Sequence, residues 1–336
     1  MSRGGMSAAR ETVFVETAAR LHFGLLDLRG DLGRKFGGIG AAAPAPTLLV
    51  SACLAETLEA SGPDAARAAE FGRLFLDHHG LSGGPNGARL CVHHALPPHA
   101  GLGSGTQLAL AIARALAELY ELPSGATDLA RAVGRAQRSA IGTWIFAGGG
   151  LVVEGGRKAM KHAVAPLVAR LLFPSTWQCV VAVPDVAPAL SGDAEAAAFA
   201  QLAPPSKGDV ALVARLVLMA LLPAVADADL STFGEALTTI QRINGRWFSA
   251  IQGGTFSPGA SEELVRRMAD WGARGVGQSS WGPAVYGIVD GEEAGLQLAE
   301  RVRGALDSLA VGGSVYCGAF RTGGAHVWRG DPVYTR

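Results

Sequence analysis

The stretch LPPHAGLGSGTQLALAIARAL, Leu96 to Leu116, constrains the fold of this chain more than any other segment. Gly101, Gly103 and Gly105 crowd a turn in which Ser104 and Thr106 supply hydroxyls, and a strongly apolar helix starts directly after it. Glycine permits the left-handed backbone such a turn needs, and the first turn of a helix leaves N–H groups without internal acceptors. Those N–H groups and the positive end of the helix dipole point the same way, which makes the turn a cradle for an anion. No Lys follows the last glycine, as a Walker loop demands, and the glycine spacing is not that of a dinucleotide fingerprint. A glycine turn that only lets a helix pack closely is the plainer reading. The strand before, the helix after and the hydroxyls at its start favour a phosphate bound at Gly101, Gly103, Ser104, Gly105, Thr106 and Gln107.

The 336 residues suffice for two domains with cores of their own. With 49% hydrophobic and 17% charged residues the chain is not disordered. Lys+Arg and Asp+Glu stand at 29 each with no basic or acidic block, which argues against nucleic acid or an anionic membrane as partner. Phosphate specificity must then come from a local site. Cys53, Cys91, Cys179 and Cys317 lie far apart and form no C-x-x-C pair, so they read as reduced, mostly buried thiols of a cytoplasmic protein. The N-terminus lacks the apolar core of a signal peptide, its first ten residues read as a loose tail, and Met6 is a second candidate start. The apolar run DVALVARLVLMALLPAVADADL, interrupted by Arg215 and ended by Pro223, reads as a buried core helix and not as a membrane span.

Periodicity predicts a strand over ETVFVETAARLHFGLLDL that turns at Gly30, then a glycine-punctuated loop through LRGDLGRKFGGIGAA with Arg34 and Lys35 exposed. Helices are expected at Thr47–Ala60, Asp64–His79, from the glycine turn to Glu121, and at Asp128–Ser139. ARLCVHHAL, GGGLVVEGG and WQCVVAVP read as strands. Further helices are expected at Lys207–Ala226, Leu230–Ile251 and Ser261–Gly272. The end returns to a glycine turn at RGVGQSSWGP, the strand AVYGIVD, a helix through Leu309, and the strands SVYCGAF and AHVW. Pro174 and Ser175 mark the expected boundary between an N-terminal domain, 10–174, and a C-terminal one, 175–336. The economical picture is an α/β (α+β) protein of two domains sharing a cleft.

Several side chains carry candidate chemistry. Arg20 and His22 alternate on one strand face and can clamp an anion or an aromatic acid, although His22 reads equally as a satisfied half-buried histidine. Asp27 is placed to hold a magnesium ion or orient a sugar, or to serve a solvated turn. Arg34 and Lys35 are phosphate candidates or plain loop charges. GQSSWG offers Gln278, Ser279, Ser280 and Trp281, with Trp281 either core or a stacking surface, and Gln252 adds another polar candidate. Gln278 stands where a nucleophile elbow needs its first glycine. His93 and His94 point to opposite faces of a strand, which disfavours a shared zinc.

PPHAGLGSGTQLALA resembles the P-x-x-x-G-L-G-S-[SG] motif of the GHMP small-molecule kinase superfamily, AARLHFGLLDL resembles its first motif, and GVGQSSWGPAVYG its third. The resemblance implies a two-domain fold, with an N-terminal ribosomal-protein-S5-domain-2-like half and a C-terminal ferredoxin-like half. One departure is decisive. The superfamily's kinases carry an aspartate base after the second-motif helix, and RSAIGTWIFAGGGLVV has no carboxylate between Ile141 and Ala147. A hydroxyl attacking a γ-phosphate lacks its base there. Within the superfamily, ARLHFGLLDLRGDLGRKFGGIG, RINGRWFSAIQGG and GQSSWGPAVYG are similar to the β-ribofuranosylaminobenzene 5′-phosphate synthase family of tetrahydromethanopterin biosynthesis. That resemblance implies condensation of 5-phosphoribosyl diphosphate with 4-aminobenzoate, release of diphosphate and carbon dioxide, magnesium with the diphosphate, no ATP requirement and a homodimer. Loss of carbon dioxide replaces loss of a proton, so the missing aspartate is expected, and Gly142, Thr143 and Trp144 are expected to wall the aromatic acid. A true kinase with another base and a non-catalytic sugar-phosphate sensor are the rival readings.

Overall fold

The computed structural model describes residues 12–82, 87–158, 164–187 and 192–330; the expected N-terminal tail and Met6 lie outside them. The strands β1 (Val13–Asp27) and β2 (Phe36–Ala55) form a long antiparallel ribbon. Valine, leucine and phenylalanine at alternate positions of β1 are buried: Val13, Val15, Leu21, Phe23 and Leu25. Its register shifts between Ala18 and Arg20 and again between His22 and Gly24, so Arg20 and His22 lie between two irregularities. Such bulges re-aim side chains near functional sites.

The rest of this seven-stranded sheet comprises β3 (Glu59–Ser61), β4 (Gly87–His94), β5 (Leu151–Glu154) and β6 (Leu167–Leu171), joined at the far end of the chain by β11 (His326–Arg329), which pairs with β1. Helices α1 (Ala65–His78), α2 (Ser104–Leu119), α3 (Ala126–Ala132) and α4 (Ile141–Gly148) cover it. Gln107 to Ala113 of α2 are all buried, because the alanines let it pack against β1, β2 and three neighbouring helices at once.

A second sheet has the order β10-β7-β9-β8, from β7 (Trp177–Pro184), β8 (Arg274–Gln278), β9 (Val285–Asp290) and β10 (Gly313–Ala319). Its helices are α5 (Gly192–Gln201), α6 (Lys207–Leu216), α7 (Leu222–Ala226), α8 (Leu230–Gln252), α9 (Ala260–Asp270) and α10 (Glu292–Ser308). Trp177, Phe233, Tyr286 and Ile288 join the same buried cluster as the core of the first sheet.

Several elements differ from expectation. Thr47–Ala60 is not a helix: its first part lies in β2, where β1 and β4 hydrogen-bond to its two edges, and that pairing overrides the helix preference of Leu and Ala. The loop over LRGDLGRKFGGIGAA ends at Lys35, and Phe36 already pairs with Asp27. The helix expected to Ser139 stops at Ala132, with Gly134 and Ala136 at positive φ just beyond it. Part of the final glycine turn is the strand β8. The helices α4 and α5 and the strand β6 were not expected. Lys207–Ala226 is a helical run with a π-turn at Val217–Leu221, yet only 28% of its apolar window is buried, because α8 covers one side and Leu218 and Met219 face out. Of the cysteines only Cys179 is buried; all four are free.

Candidate active site

The glycine turn between β4 and α2 is held from behind. Ala100 C=O accepts from Ala284 N–H (3.1 Å) and Leu102 C=O accepts from Arg20 N–H (2.9 Å). Gly101 C=O accepts from Ser279 Oγ (2.7 Å), with Arg20 Nη1 at 3.4 Å. Three consecutive carbonyls are thus tied to β1 and to the turn after β8. Gly101 and Gly103 hold left-handed φ of 78° and 74°. Among the described residues, the N–H groups of Gly103, Ser104 and Gly105 have no acceptor, and the start of α2 adds its dipole to them.

Guanidinium groups gather around this cradle. A Cβ on Gly103 would sit 3.2 Å from Arg20 Nε, and one on Gly105 would sit 2.5 Å from Arg67 Nη2 and 3.5 Å from Arg135 Nη2. Burial draws Arg20 down to about 10, a shift that Glu195 partly offsets. Arg135 lies over the Phe71 ring (4.7 Å) and is also lowered, by burial and then by Arg67. Arg135 Nε and Arg138 Nη1 are buried without a hydrogen-bond partner. Like charges held together with unspent donors form a site for an anion. Beside them His22 is pushed down to about 3 by burial and by Arg20, so its imidazole is neutral at working pH and acts as a hydrogen-bonding group, not as an acid.

Of these groups Arg20, His22, Arg135 and Arg138 line a cavity of about 250 Å³, joined by Thr106 from the first turn of α2. Gly101, Gly103, Ser104, Gly105 and Arg67 are not among its lining residues, and the rest of its wall is built from amide side chains and aromatic rings. Phe199 of α5, Phe248 of α8 and Trp281 meet edge to face with centroids 5.8, 5.7 and 4.9 Å apart, and Phe36 of β2 packs edge-on to Phe199 at 5.8 Å. The wall expected from Gly142, Thr143 and Trp144 is elsewhere. Trp144 Nε1 donates to Ala165 C=O (2.8 Å) and its ring packs on a small cluster with Ile141 and Val152.

Arg20, His22, Thr106, Gln252, Gln278, Ser280 and Trp281 reach the cavity as the sequence suggested. Other candidates do not line it. Asp27 accepts from Arg29 N–H (2.6 Å) and Gly30 N–H (3.1 Å), the solvated-turn alternative. Arg34 donates to Gly156 C=O (2.9 Å), and Lys35 lies over the Phe36 ring at 5.6 Å. Gln107 is wholly buried; it accepts from Thr17 Oγ1 (2.8 Å) and donates to Gly142 C=O (3.0 Å), which ties α2 to β1 and α4. Ser279, equally buried, accepts from His22 N–H (2.9 Å) while donating to Gly101. It binds the three motifs to one another.

Arg67, Arg135, Arg138, Phe36, Phe199 and Phe248 were missed. The signal for two of them was present: between Asp128 and Glu154 the chain carries Arg131, Arg135 and Arg138 and no acid. The RINGRWF segment proves to be a clamp. Asn244 bonds both backbone groups of Leu25 (2.5 and 3.2 Å), and Gln241 Nε2 donates to Phe23 C=O (2.6 Å), which fixes β1 beside the pocket.

The profile of the GHMP kinases N terminal domain matches residues 65–146, which span α1 to α4 and include the glycine turn. The chain is 35% identical to the beta-ribofuranosylphenol 5'-phosphate synthase of Archaeoglobus fulgidus, over 85% of this chain and 91% of that one. It is 33% identical to the synthase of the same name from Methanothermobacter thermautotrophicus, over 83% and 89%. The crystal structure of homoserine kinase from Cytophaga hutchinsonii superposes with a TM-score of 0.71 at 16% identity, covering 97% of this chain and 100% of that one. That likeness is one of fold.

Proposed function

The chain belongs to the beta-ribofuranosylphenol 5'-phosphate synthase family, and from that premise we propose that it condenses 5-phosphoribosyl diphosphate with a 4-substituted benzoate, releasing diphosphate and carbon dioxide. The observation that carries the reading is the composition of the pocket. Arg20 and Arg135, which flank the glycine turn, share one cavity with a set of aromatic rings, and among its described lining residues the only carboxylate is Glu195, already paired with Arg138.

The diphosphate lies on the N–H groups at the start of α2, with Arg20 and Arg135 beside it. As the C1–O bond of the ribose breaks, charge grows on the leaving oxygens, and fixed donors stabilise it without reorganisation. The ring carbon bearing the carboxylate bonds to C1. The C–CO₂ bond then cleaves, its electron pair restores the aromatic ring, and carbon dioxide departs. No base removes a proton at any point. Neutral His22 holds a ribose hydroxyl. Magnesium is expected with the diphosphate, yet the described residues contain no group of three metal-ligating side chains, and the pocket's guanidinium and amide donors suit an anion, not a cation. These residues do not fit a metal site of the protein's own.

The family resemblance of the sequence implies 4-aminobenzoate as the acceptor. The phenol in the relatives' name favours a second reading, 4-hydroxybenzoate, and both belong to the same reaction in tetrahydromethanopterin biosynthesis. The test is release of label from each carboxyl-labelled benzoate with phosphoribosyl diphosphate and magnesium, with and without ATP. Label release independent of ATP is expected. ATP consumption with phosphate transferred to a small alcohol would restore the kinase reading, and release from neither benzoate would overturn the proposal.

A further inference from the structure

Glu195 and Phe199 stand four residues apart on α5, so one face of that helix presents both to the pocket. The Arg138 guanidinium lies over the Phe199 ring, 5.2 Å from its centroid, and its Nη2 meets Glu195 Oε2 at 2.5 Å. Its other terminal nitrogen, Nη1, is buried and has no partner. Guanidinium is a two-pronged donor whose geometry matches a carboxylate. Here one prong is spent and the other, Nη1, is not, while the side chain as a whole stays about one-third exposed.

We infer that Arg138, stacked on Phe199 in the cavity that Phe248 and Trp281 also line, is the subsite for the carboxylate end of the aromatic acid, and that Glu195 is the resident counter-ion the acid displaces or shares. The inference deepens the function proposed above and rests on it for the identity of the acid. The chemistry separates this subsite from the phosphate cradle. A phosphate needs several donors around it, which the start of α2, Arg20 and Arg135 supply. Arg138 offers one unpartnered prong beside the Phe199 ring, which suits a single planar carboxylate on a flat ring. Phe248 and Trp281 pack edge to face on each other at 4.9 Å and both line the same cavity. Holding the carboxylate at Arg138 fixes which ring carbon faces the ribose, so Arg138 sets acceptor specificity and takes no proton.

Calorimetric titration tests this with wild type, Arg138→Gln, Glu195→Gln and the double variant, using 4-hydroxybenzoate, 4-aminobenzoate and, as a control without a carboxylate, phenol. Arg138→Gln should weaken benzoate binding at least tenfold and leave phosphoribosyl diphosphate binding within twofold of wild type. Glu195→Gln, which removes the competitor, should tighten benzoate binding several-fold, and phenol should bind all forms alike. If Arg138→Gln leaves an unpaired Glu195 and does not fold, the double variant carries neither charge and makes the same comparison. Benzoate binding that is unchanged in the double variant would overturn the inference, as would a parallel loss of phosphoribosyl diphosphate binding. Should wild type bind benzoates through Arg138 but form no product, the proposed reaction fails while the subsite stands.

Discussion

Gly101 and Gly103 have nearly the same left-handed φ but opposite surroundings, and replacing each by alanine separates the scaffold of the cradle from its working face. A left-handed φ costs an alanine about 1–2 kcal/mol at either position. At Gly103 the new methyl meets only the Arg20 side chain, at 3.2 Å from Nε and 3.3 Å from Cβ, and that side chain can yield by a few tenths of an ångström. Stability should therefore fall by about 1–2 kcal/mol, no more than the backbone term. Because Arg20 is displaced from the cradle, phosphoribosyl diphosphate should bind about tenfold more weakly, about 1.4 kcal/mol. At Gly101 the methyl would overlap the Ser279 carbonyl oxygen and crowd the Gly282 carbonyl, both backbone atoms. Overpacking of that kind adds about 1–3 kcal/mol, so Gly101→Ala should lose about 2–5 kcal/mol in total. Urea unfolding gives the stabilities and calorimetry the affinity. If Gly103→Ala folds and binds phosphoribosyl diphosphate as tightly as wild type, the cradle is misassigned. Equal stability of the two variants would refute the argument from contacts.

Glu154 of β5 is fully buried, and burial raises its carboxyl from 4.5 to about 7 against the opposing pull of the Gly156 and Ala140 N–H groups and of Arg157 and Arg34. Because the folded value lies above the unfolded one, its contribution is whole below about pH 4.5 and is lost as pH rises through about 7, a difference of about 3 kcal/mol. Glu154→Gln should be about 2–3 kcal/mol more stable than wild type at pH 8 and no more stable at pH 4.5, and thermal melts showing a pH-independent difference would contradict this. Ser279→Ala removes the partner of the His22 N–H, worth about 1–3 kcal/mol when buried and unpaired, and leaves the Gly101 carbonyl only the 3.4 Å contact with Arg20 Nη1. It should lower both stability and phosphoribosyl diphosphate affinity, and an unaltered affinity would deny Ser279 its positioning role.

What the sequence determined by itself was local. Three glycines followed at once by an apolar helix can satisfy their backbone only as a turn with its N–H groups open, and the structure has that turn. Alternation in β1 put Arg20 and His22 on one face, and the absence of acid between Ile141 and Ala147 was visible without coordinates. Other readings failed where the deciding partner lies far along the chain. Thr47 to Ala55 reads as a helix until β1 and β4 take up its two edges. Gln107 and Ser279 look like ligand-binding polar groups until their partners appear 90 and 178 residues away. The aromatic wall was illegible for the same reason. Phe36, Phe199, Phe248 and Trp281 come from a strand, two helices and a turn, and no spacing in one dimension records that they meet. Arg138 shows the limit most plainly: the sequence holds the arginine, but only packing leaves one of its nitrogens buried beside a ring with nothing yet to bind.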